Sequence, residues 1–242
     1  MRRSTPYRTP RRTGLFALLR GVPLFLLSLA ATQGQDRPHS ICAFVNGIAS
    51  ARLYTSPFSN DEIERNSAIE FGFVFSGRVA YAYSLSRSTR IQLSAEYLET
   101  QSVTQDYNAT TFNDGFNMYA IEGAALFILP FTGEQFQIFL GGGGGLYLGS
   151  RKYEVAGIAS SATRSIPAFN ILTVFGMEYF VIPPLSIQME FRFRDPLITP
   201  SNVFEQPSVL SNGVHYPLDQ RPFRSRVNVN GNVYSAGVSF HF

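Results

Sequence analysis

The sequence predicts an all-β fold, an eight-stranded antiparallel up-and-down β-barrel. Three observations carry this prediction. Apolar and polar residues alternate with a period of two, prolines fall between the alternating segments, and short and long connections take turns along the chain. Alternation of period two places successive side chains on opposite faces of a strand, whereas a helix would scatter the same residues around its surface.

Residues 1–34 are predicted to be a cleaved signal peptide. Six arginines and no acid lie in the first twenty residues, and an apolar run follows at 22–31. That run is about ten residues long, against the roughly 20 that a spanning helix needs. Small and polar residues place the cleavage within 30–35. An uncleaved membrane anchor is the alternative, and Arg11-Arg12 is only weak evidence for twin-arginine export.

The positive charge of the chain belongs to this leader. Taking its six arginines from the 20 basic residues leaves 14 against 17 acids, so the rest of the chain is near −3. Nucleic acid is therefore not expected as a partner, because its footprint would be a basic patch on the folded domain. Cys42 is the only cysteine, which excludes an intramolecular disulfide.

Residues 41–242 are predicted to hold the eight strands. The first, at 42–54, is the least regular because both faces are mixed. Alternation is clear at 69–85, 91–97, 185–194 and 232–242, and weaker at 116–129, 135–153 and 168–182. In the second and third strands the odd positions are apolar, so we expect Ile69 to Leu85 and Ile91 to Tyr97 to present odd positions to one face.

The breaks between strands contain the prolines. A proline cannot donate a hydrogen bond to a sheet ladder, and none is expected in a strand interior. The connections at 86–89, 130–134 and 183–184 are short, whereas those at 57–66, 106–115, 155–167 and 195–227 are long. Alternate connections of an antiparallel meander lie at opposite ends of the barrel. One end is therefore predicted to have short turns and the other long loops.

Alternation alone does not show whether the polar or the apolar face of the strands lies inside the barrel. A soluble barrel of the lipocalin kind would bury its apolar face. Two features favour lipid outside. Lys152 is the only lysine after the leader, although lysine commonly keeps soluble strands soluble. The apolar faces also carry bulky rows such as Phe71, Phe73 and Phe75.

The end of the chain supplies a further indication. Ser235, Gly237, Phe240 and Phe242 resemble the C-terminal β-signal of bacterial outer-membrane proteins, which the barrel-assembly machinery recognises. With it, the region 41–242 resembles the porin-like family of small barrels typified by OmpX and the membrane domain of OmpA. The resemblance implies an outer-membrane location, outer-membrane lipid around the barrel and the assembly machinery as a partner during insertion. The chain departs from the family in lacking tryptophan and in its mixed first strand.

Inward positions of such a barrel would hold a polar network. Charges in a narrow interior should pair, and we expect a plugged lumen rather than a pore. Because the turn at 86–89 nearly fixes the register, the numbers of opposed residues are predicted to sum to 174 or 176. At 174, Arg78 opposes Glu96, and we predict an ion pair between them. The predicted lumen residues are Glu70, Arg78, Glu96, Glu122, Glu178, Glu190 and Arg192.

Catalytic patterns are weak. The five glycines at 141–145 lack a following Lys-Ser/Thr and are interpreted as small residues that relieve crowding or allow bending. The histidines, His39, His215 and His241, have no metal-like neighbours in the sequence. A lipid-modifying hydrolase would need a Ser–His–acid set near the lipid, but Ser239 and His241 are expected on the lumen side. We expect no catalytic residue, cofactor or metal.

These observations favour a structural or surface-interaction role in the outer membrane. The alternatives are a narrow passive channel and, less favoured, a membrane-embedded lipid-modifying enzyme. The longest connection, 195–227, is rich in proline and is predicted to be external and mobile. Within it, Arg221, Arg224 and Arg226 are candidates to contact anionic lipid headgroups or surface polysaccharide, the alternative being a solvated loop without a ligand.

Overall fold

The computed structural model describes residues 37–133, 135–229 and 231–242, so the predicted signal peptide lies outside the described residues. Residues 37–241 form one compact unit, to which the following description applies.

Eight long antiparallel strands close into a barrel. Each strand pairs with its neighbours in the chain, and the first pairs with the last, so the sheet has no open edge. The predicted fold class and strand count are confirmed. The strands are β1 (His39–Ile48), β2 (Val74–Ser84), β3 (Thr89–Gln105), β4 (Thr111–Ile128), β5 (Phe136–Val155), β6 (Ala168–Ile182), β7 (Leu185–Arg194) and β8 (Gly231–His241).

The two ends of the barrel differ, as the connection lengths predict. Residues 85–88, 129–135 and 183–184 join strands at one end, the turn end, where the backbone N–H of Leu85 donates to the carbonyl of Thr89 at 2.9 Å. Residues 49–73, 106–110, 156–167 and 195–230 join strands at the other end, the loop end.

A second sheet continues the barrel wall at the loop end. Ala51–Tyr54 and Ala68–Phe71 prolong the β1–β2 pair, and Arg226–Asn228 joins them to Leu197–Val203, which follows β7. Leu197–Val203 also pairs with Ser161–Ile166, ahead of β6, and with Phe223–Arg224. Further strands are Ile158–Ala159, which pairs with β5, and the hairpin of Ser208–Ser211 and Val214–Pro217.

One short helix, Glu62–Asn66, lies in the connection between β1 and β2, and the Asp61 side chain caps its first turn. None of the helices in the described part of the chain is long and apolar enough to cross a membrane.

The prolines of 195–227 do not exclude regular structure, because four short strands lie within this connection. Pro200 lies inside Leu197–Val203, contrary to the expectation that no proline interrupts a strand. A proline lacks only the donor, and the carbonyl of Pro200 accepts a hydrogen bond from the backbone N–H of Ser225 at 3.0 Å. Pro217 ends its strand in the same connection.

Candidate functional site

Six of the seven predicted lumen residues point into the barrel. Each is 4% exposed or less, and they come from five different strands. They are Arg78, Glu96, Glu122, Glu178, Glu190 and Arg192.

Glu70 is the exception, and its prediction as a lumen residue is wrong. Its side chain is 69% exposed and pairs on the outer surface with Arg52, Nε to Oε1 at 3.1 Å. Residues 49–50 and 72–73 separate β1 and β2 from their continuations at the loop end. Even positions face inward in β1 and β2, whereas odd positions face inward in the continuations. Phe71 therefore faces the interior, where the sequence pattern placed Glu70.

The centre of the lumen holds a belt of three arginines and three glutamates. Arg194 holds Glu96 with two hydrogen bonds, at 2.7 and 2.8 Å, and also donates to Glu122. Arg78 donates to Glu190 at 2.5 Å. Arg192 bridges Glu190, at 2.9 Å, to Glu122. Charges of opposite sign thus alternate across the lumen, which offsets the cost of burying them.

A second polar cluster lies nearer the turn end. Glu178 accepts from Arg90 at 2.8 Å and from Gln188 at 2.7 Å. His241 and Ser186 complete the cluster, but their geometry is not that of a catalytic relay. The same imidazole nitrogen, His241 Nε2, lies 2.9 Å from Glu178 Oε1 and 3.0 Å from Ser186 Oγ, whereas a relay needs the acid and the nucleophile on different nitrogens.

An apolar layer crosses the lumen between the central belt and the loop end. On β3 the layer contains Leu98, the next inward residue after Glu96. On β4 it contains Phe116 and Met118, which come before Glu122 in the chain. All three apolar side chains are fully buried. Ile48, Val74, Ile198 and Val233 belong to the same cluster. Beyond it, Arg151 holds Asp114 through Nε at 2.8 Å and through Nη2. Ion pairs and packed apolar side chains therefore fill the interior.

Sequence reasoning missed four charged lumen residues, Arg90, Asp114, Arg151 and Arg194. Arg194 lies at an even position of the predicted strand 185–194, as Glu190 and Arg192 do. The alternation of that strand therefore also predicts that Arg194 points inward. Arg90 and Asp114 lie just outside the predicted strands 91–97 and 116–129, and Arg151 lies two residues inside the end of 135–153. With them, the described lumen contains five arginines and five acids in matched pairs.

The outer wall is apolar between two aromatic levels. Near the loop end, one row across paired strands reads Phe175, Phe191, Tyr234, Gly47 and Phe75, with Phe73 over Gly47. Near the turn end, Tyr81 and Tyr83 mark the other level. Residues 75–83 of β2 lie between them, which matches the roughly 9–11 residues of a transmembrane strand. Charged pairs begin beyond the loop-end level, as with Lys152 and Glu99 at 2.5 Å.

The loop end contains a cavity of about 360 Å³, the loop-end pocket. Aromatic rings form much of its wall: Tyr153 and Phe204 have ring centroids 5.6 Å apart, and Phe204 and Phe223 are stacked at 5.8 Å. Arg151 forms the polar side, its guanidinium 4.5 Å from the Tyr153 ring centroid. Thr55, Ser56 and Asp219 are further polar lining residues.

The hairpin of the last connection is tied to residues 106–110. Tyr216 donates to the carboxylate of Asp106, and this bond holds the pKa of that carboxyl below its usual range. Asn212 Nδ2 donates to the carbonyl of Asn108 at 2.7 Å, and Thr110 bonds to Ser211 at 3.1 Å. The segment beside the pocket is thereby held in place.

The three arginines of the predicted anion contact do not form one group. Arg224 and Arg226 both lie over the Phe58 ring, at 4.4 and 5.6 Å from its centroid. The Arg221 side chain is not among these contacts, and its backbone N–H donates to Asp219 at 2.8 Å. An anion contact by these residues stays a prediction.

Ser235, Gly237 and Phe240 of the predicted assembly signal lie in β8. Ser235 faces the lumen, and Phe240 pairs with Ile41 and Leu185. Gly237 leaves room for the Phe44 ring, over which the Arg78 guanidinium lies at 3.8 Å. Recognition by the assembly machinery stays a prediction. Within the described ranges, no group of three or more His, Cys, Asp or Glu is placed to hold a metal ion.

No protein-family model and no curated protein sequence matches the chain. Among solved structures, the outer membrane protein OprG from Pseudomonas aeruginosa is similar, with a TM-score of 0.59 at 14% identity, over 87% of this chain and 98% of that one. Neisserial surface protein A gives 0.45 at 15% identity, over 84% and 97%. Ail of Yersinia pestis gives 0.44 at 12% identity, over 86% and 100%. The likeness to OprG shows that the fold is that of an outer-membrane β-barrel.

Proposed function

We propose that this chain is an integral protein of the bacterial outer membrane, closed to solutes, with a structural or surface-interaction role at its loop end. The observation that carries the proposal is the layered interior. A belt of paired arginines and glutamates, followed by a packed apolar layer, spans the lumen of a barrel whose outer wall is apolar.

The outer wall supports the placement in lipid. In hydrocarbon every backbone donor and acceptor must be satisfied within the protein, and a closed barrel does so without an edge. The outward residues of β2 from Phe75 to Tyr83 carry no charge, and aromatic side chains lie at both limits. Aromatic girdles at both interfaces are a general feature of such barrels.

The loop end supports an interaction role. Its strands continue the wall beyond the aromatic row, its hairpin is held by side-chain hydrogen bonds, and it contains a preformed pocket. Ordered loops on a rigid scaffold are where binding residues concentrate. We place this end outside the cell and the short turns in the periplasm.

A narrow passive channel remains the rival function, and conductance separates the two. A lipid-modifying enzyme is less well supported. Ser186, His241 and Glu178 meet in the lumen rather than at the lipid face, and one imidazole nitrogen contacts both partners. No catalytic residue is proposed.

Cysteine labelling in intact cells tests the placement and the orientation. Tyr107 is fully exposed in residues 106–110, and Phe131 is 77% exposed at the turn end. With a membrane-impermeant maleimide, Tyr107→Cys should be labelled in intact cells and Phe131→Cys only after permeabilisation. Unmodified protein should not react, because Cys42 is buried. If only Phe131→Cys is labelled in intact cells, the orientation is the opposite of the one proposed. If neither variant is labelled before permeabilisation, the outer-membrane location is refuted.

A further inference from the structure

We propose that the loop-end pocket binds a single neutral sugar ring. The inference rests on the proposed outward orientation of this end. The pocket combines the half-buried aromatic rings of Tyr153 and Phe223, which pack on the buried Phe204, with the polar residues Arg151 and Asp219, in about 360 Å³. A sugar ring presents apolar C–H faces that pack on aromatic rings and hydroxyl groups around its edge that both donate and accept hydrogen bonds.

A wholly apolar ligand fits this lining less well. Arg151 uses Nε and Nη2 on Asp114, and its Nη1 makes no hydrogen bond to the described residues. Asp219 accepts from the Arg221 backbone through Oδ1 only. A hydrocarbon that displaced water from Arg151 Nη1 would leave this buried donor unpaired, and it would offer no donor to the free oxygen of the exposed Asp219 carboxylate. Ligand hydroxyls supply both missing partners.

An anionic ligand is also disfavoured. The guanidinium of Arg151 is already neutralised by two hydrogen bonds to Asp114, so it offers little net charge to an anion. With Arg151 and Asp114 offsetting each other, Asp219 leaves one net negative charge at the lining, which repels an anion. A neutral ring with hydroxyl groups meets neither penalty.

Saturation-transfer NMR tests the proposal with the purified full-length protein in a detergent that has no sugar headgroup. The probes are glucose, galactose and N-acetylglucosamine, with toluene and glucuronate as the apolar and anionic comparators. At least one neutral sugar should receive saturation, with a dissociation constant of about 1 mM. Failure of all three sugars, or stronger signals from toluene or glucuronate, would overturn the inference.

Two variants locate the binding. Phe223→Ala removes one stacked ring, and Asp219→Asn removes the carboxylate from an exposed position outside the aromatic packing. Each should weaken sugar binding at least tenfold, whereas Tyr107→Ala, at an exposed residue that does not line the pocket, should leave it unchanged. If Phe223→Ala does not insert, Asp219→Asn decides alone, and unchanged binding in it contradicts the proposal. Sugar binding could fail while labelling and conductance behave as proposed, so the two failures are distinguishable.

Discussion

Arg78 and Glu96 lie directly opposite each other on β2 and β3, yet each makes its ion pair with a residue of β7. Arg78 donates to Glu190 at 2.5 Å, and Glu96 accepts two hydrogen bonds from Arg194. Of the two predicted registers, the one with a sum of 174 is observed, and the predicted inward direction is confirmed. The predicted contact between the two residues is wrong. In a narrow barrel a long side chain reaches across the lumen, so its ionic partner need not be the residue opposite it in the sheet.

The first prediction follows from this partner exchange. Arg78→Met should lower the free energy of unfolding by about 3 kcal/mol, since it leaves Glu190 with one cation fewer. Adding Glu190→Gln should recover part of the lost free energy of unfolding. Adding Glu96→Gln should lower the free energy of unfolding further, because Glu96 forms an ion pair with Arg194. Urea unfolding of the protein in lipid vesicles measures all three variants. Recovery by Glu96→Gln instead would show that the cross-strand pair is the real one.

A second prediction contrasts the exposed and the buried glutamate. Glu70→Gln should change stability by no more than about 1 kcal/mol, because its pair with Arg52 is exposed to solvent. Glu96→Gln should cost about 3 kcal/mol, because it leaves Arg194 short of a partner at a fully buried site. The same urea titration compares the two. Equal losses would mean that Glu70 also faces the lumen.

The third prediction concerns the hairpin at residues 208–217. Tyr216→Phe removes the hydroxyl that donates to Asp106 and accepts from Asn108, so amide hydrogen exchange in the hairpin should speed up while the barrel is unaffected. Tyr107→Phe is the control, because Tyr107 is fully exposed.

The same contact gives a pH dependence. The Tyr216 hydrogen bond depresses the pKa of Asp106 from its usual 3.8, so the tie is present above that pH and is lost as pH falls through the lowered value. Hairpin exchange corrected for intrinsic rates should rise at low pH in the unmodified protein and stay flat in Tyr216→Phe. A rise of equal size in both proteins would assign the loosening to another group.

The fourth prediction concerns the glycine run. A Cβ at Gly143 would collide with the carbonyl oxygen of Gly123 on the neighbouring strand, whereas a Cβ at Gly123 would meet nothing within 4 Å. Gly143→Ala should therefore destabilise the barrel by about 1–3 kcal/mol, and Gly123→Ala should be nearly neutral. The temperature at which each variant loses its folded gel mobility is the readout. Equal transition temperatures would argue against crowding as the reason for the run.

Local patterns predicted the strands, the two faces and the register of the β2–β3 hairpin, because period-two alternation and a short turn are both local. The partner of Arg78 depends on which residues meet across the closed barrel, and Glu190 lies 112 positions away. Glu70 was misplaced because residues 49–50 and 72–73 interrupt the alternation of two paired strands. Gly72 is the one residue type there that indicates an irregularity.

The sequence also indicates the turn of the loop-end hairpin. Asn212 and Gly213 both adopt positive φ, at 50° and 82°, between Ser208–Ser211 and Val214–Pro217. An Asn-Gly pair flanked by apolar residues is a strong indication of a two-residue hairpin turn. The pocket could not be predicted, because its lining comes from four separate segments that only the closed fold brings together.

Single-channel recording in planar lipid bilayers tests the closed lumen most directly. The full-length protein, shown to be inserted by its folded gel mobility, should give no unitary current above that of bilayers with heat-unfolded protein. We expect this result because the ion-paired belt and the packed apolar layer fill the described part of the lumen. Steady unitary conductance steps from the inserted protein would contradict the account and establish the channel function in its place.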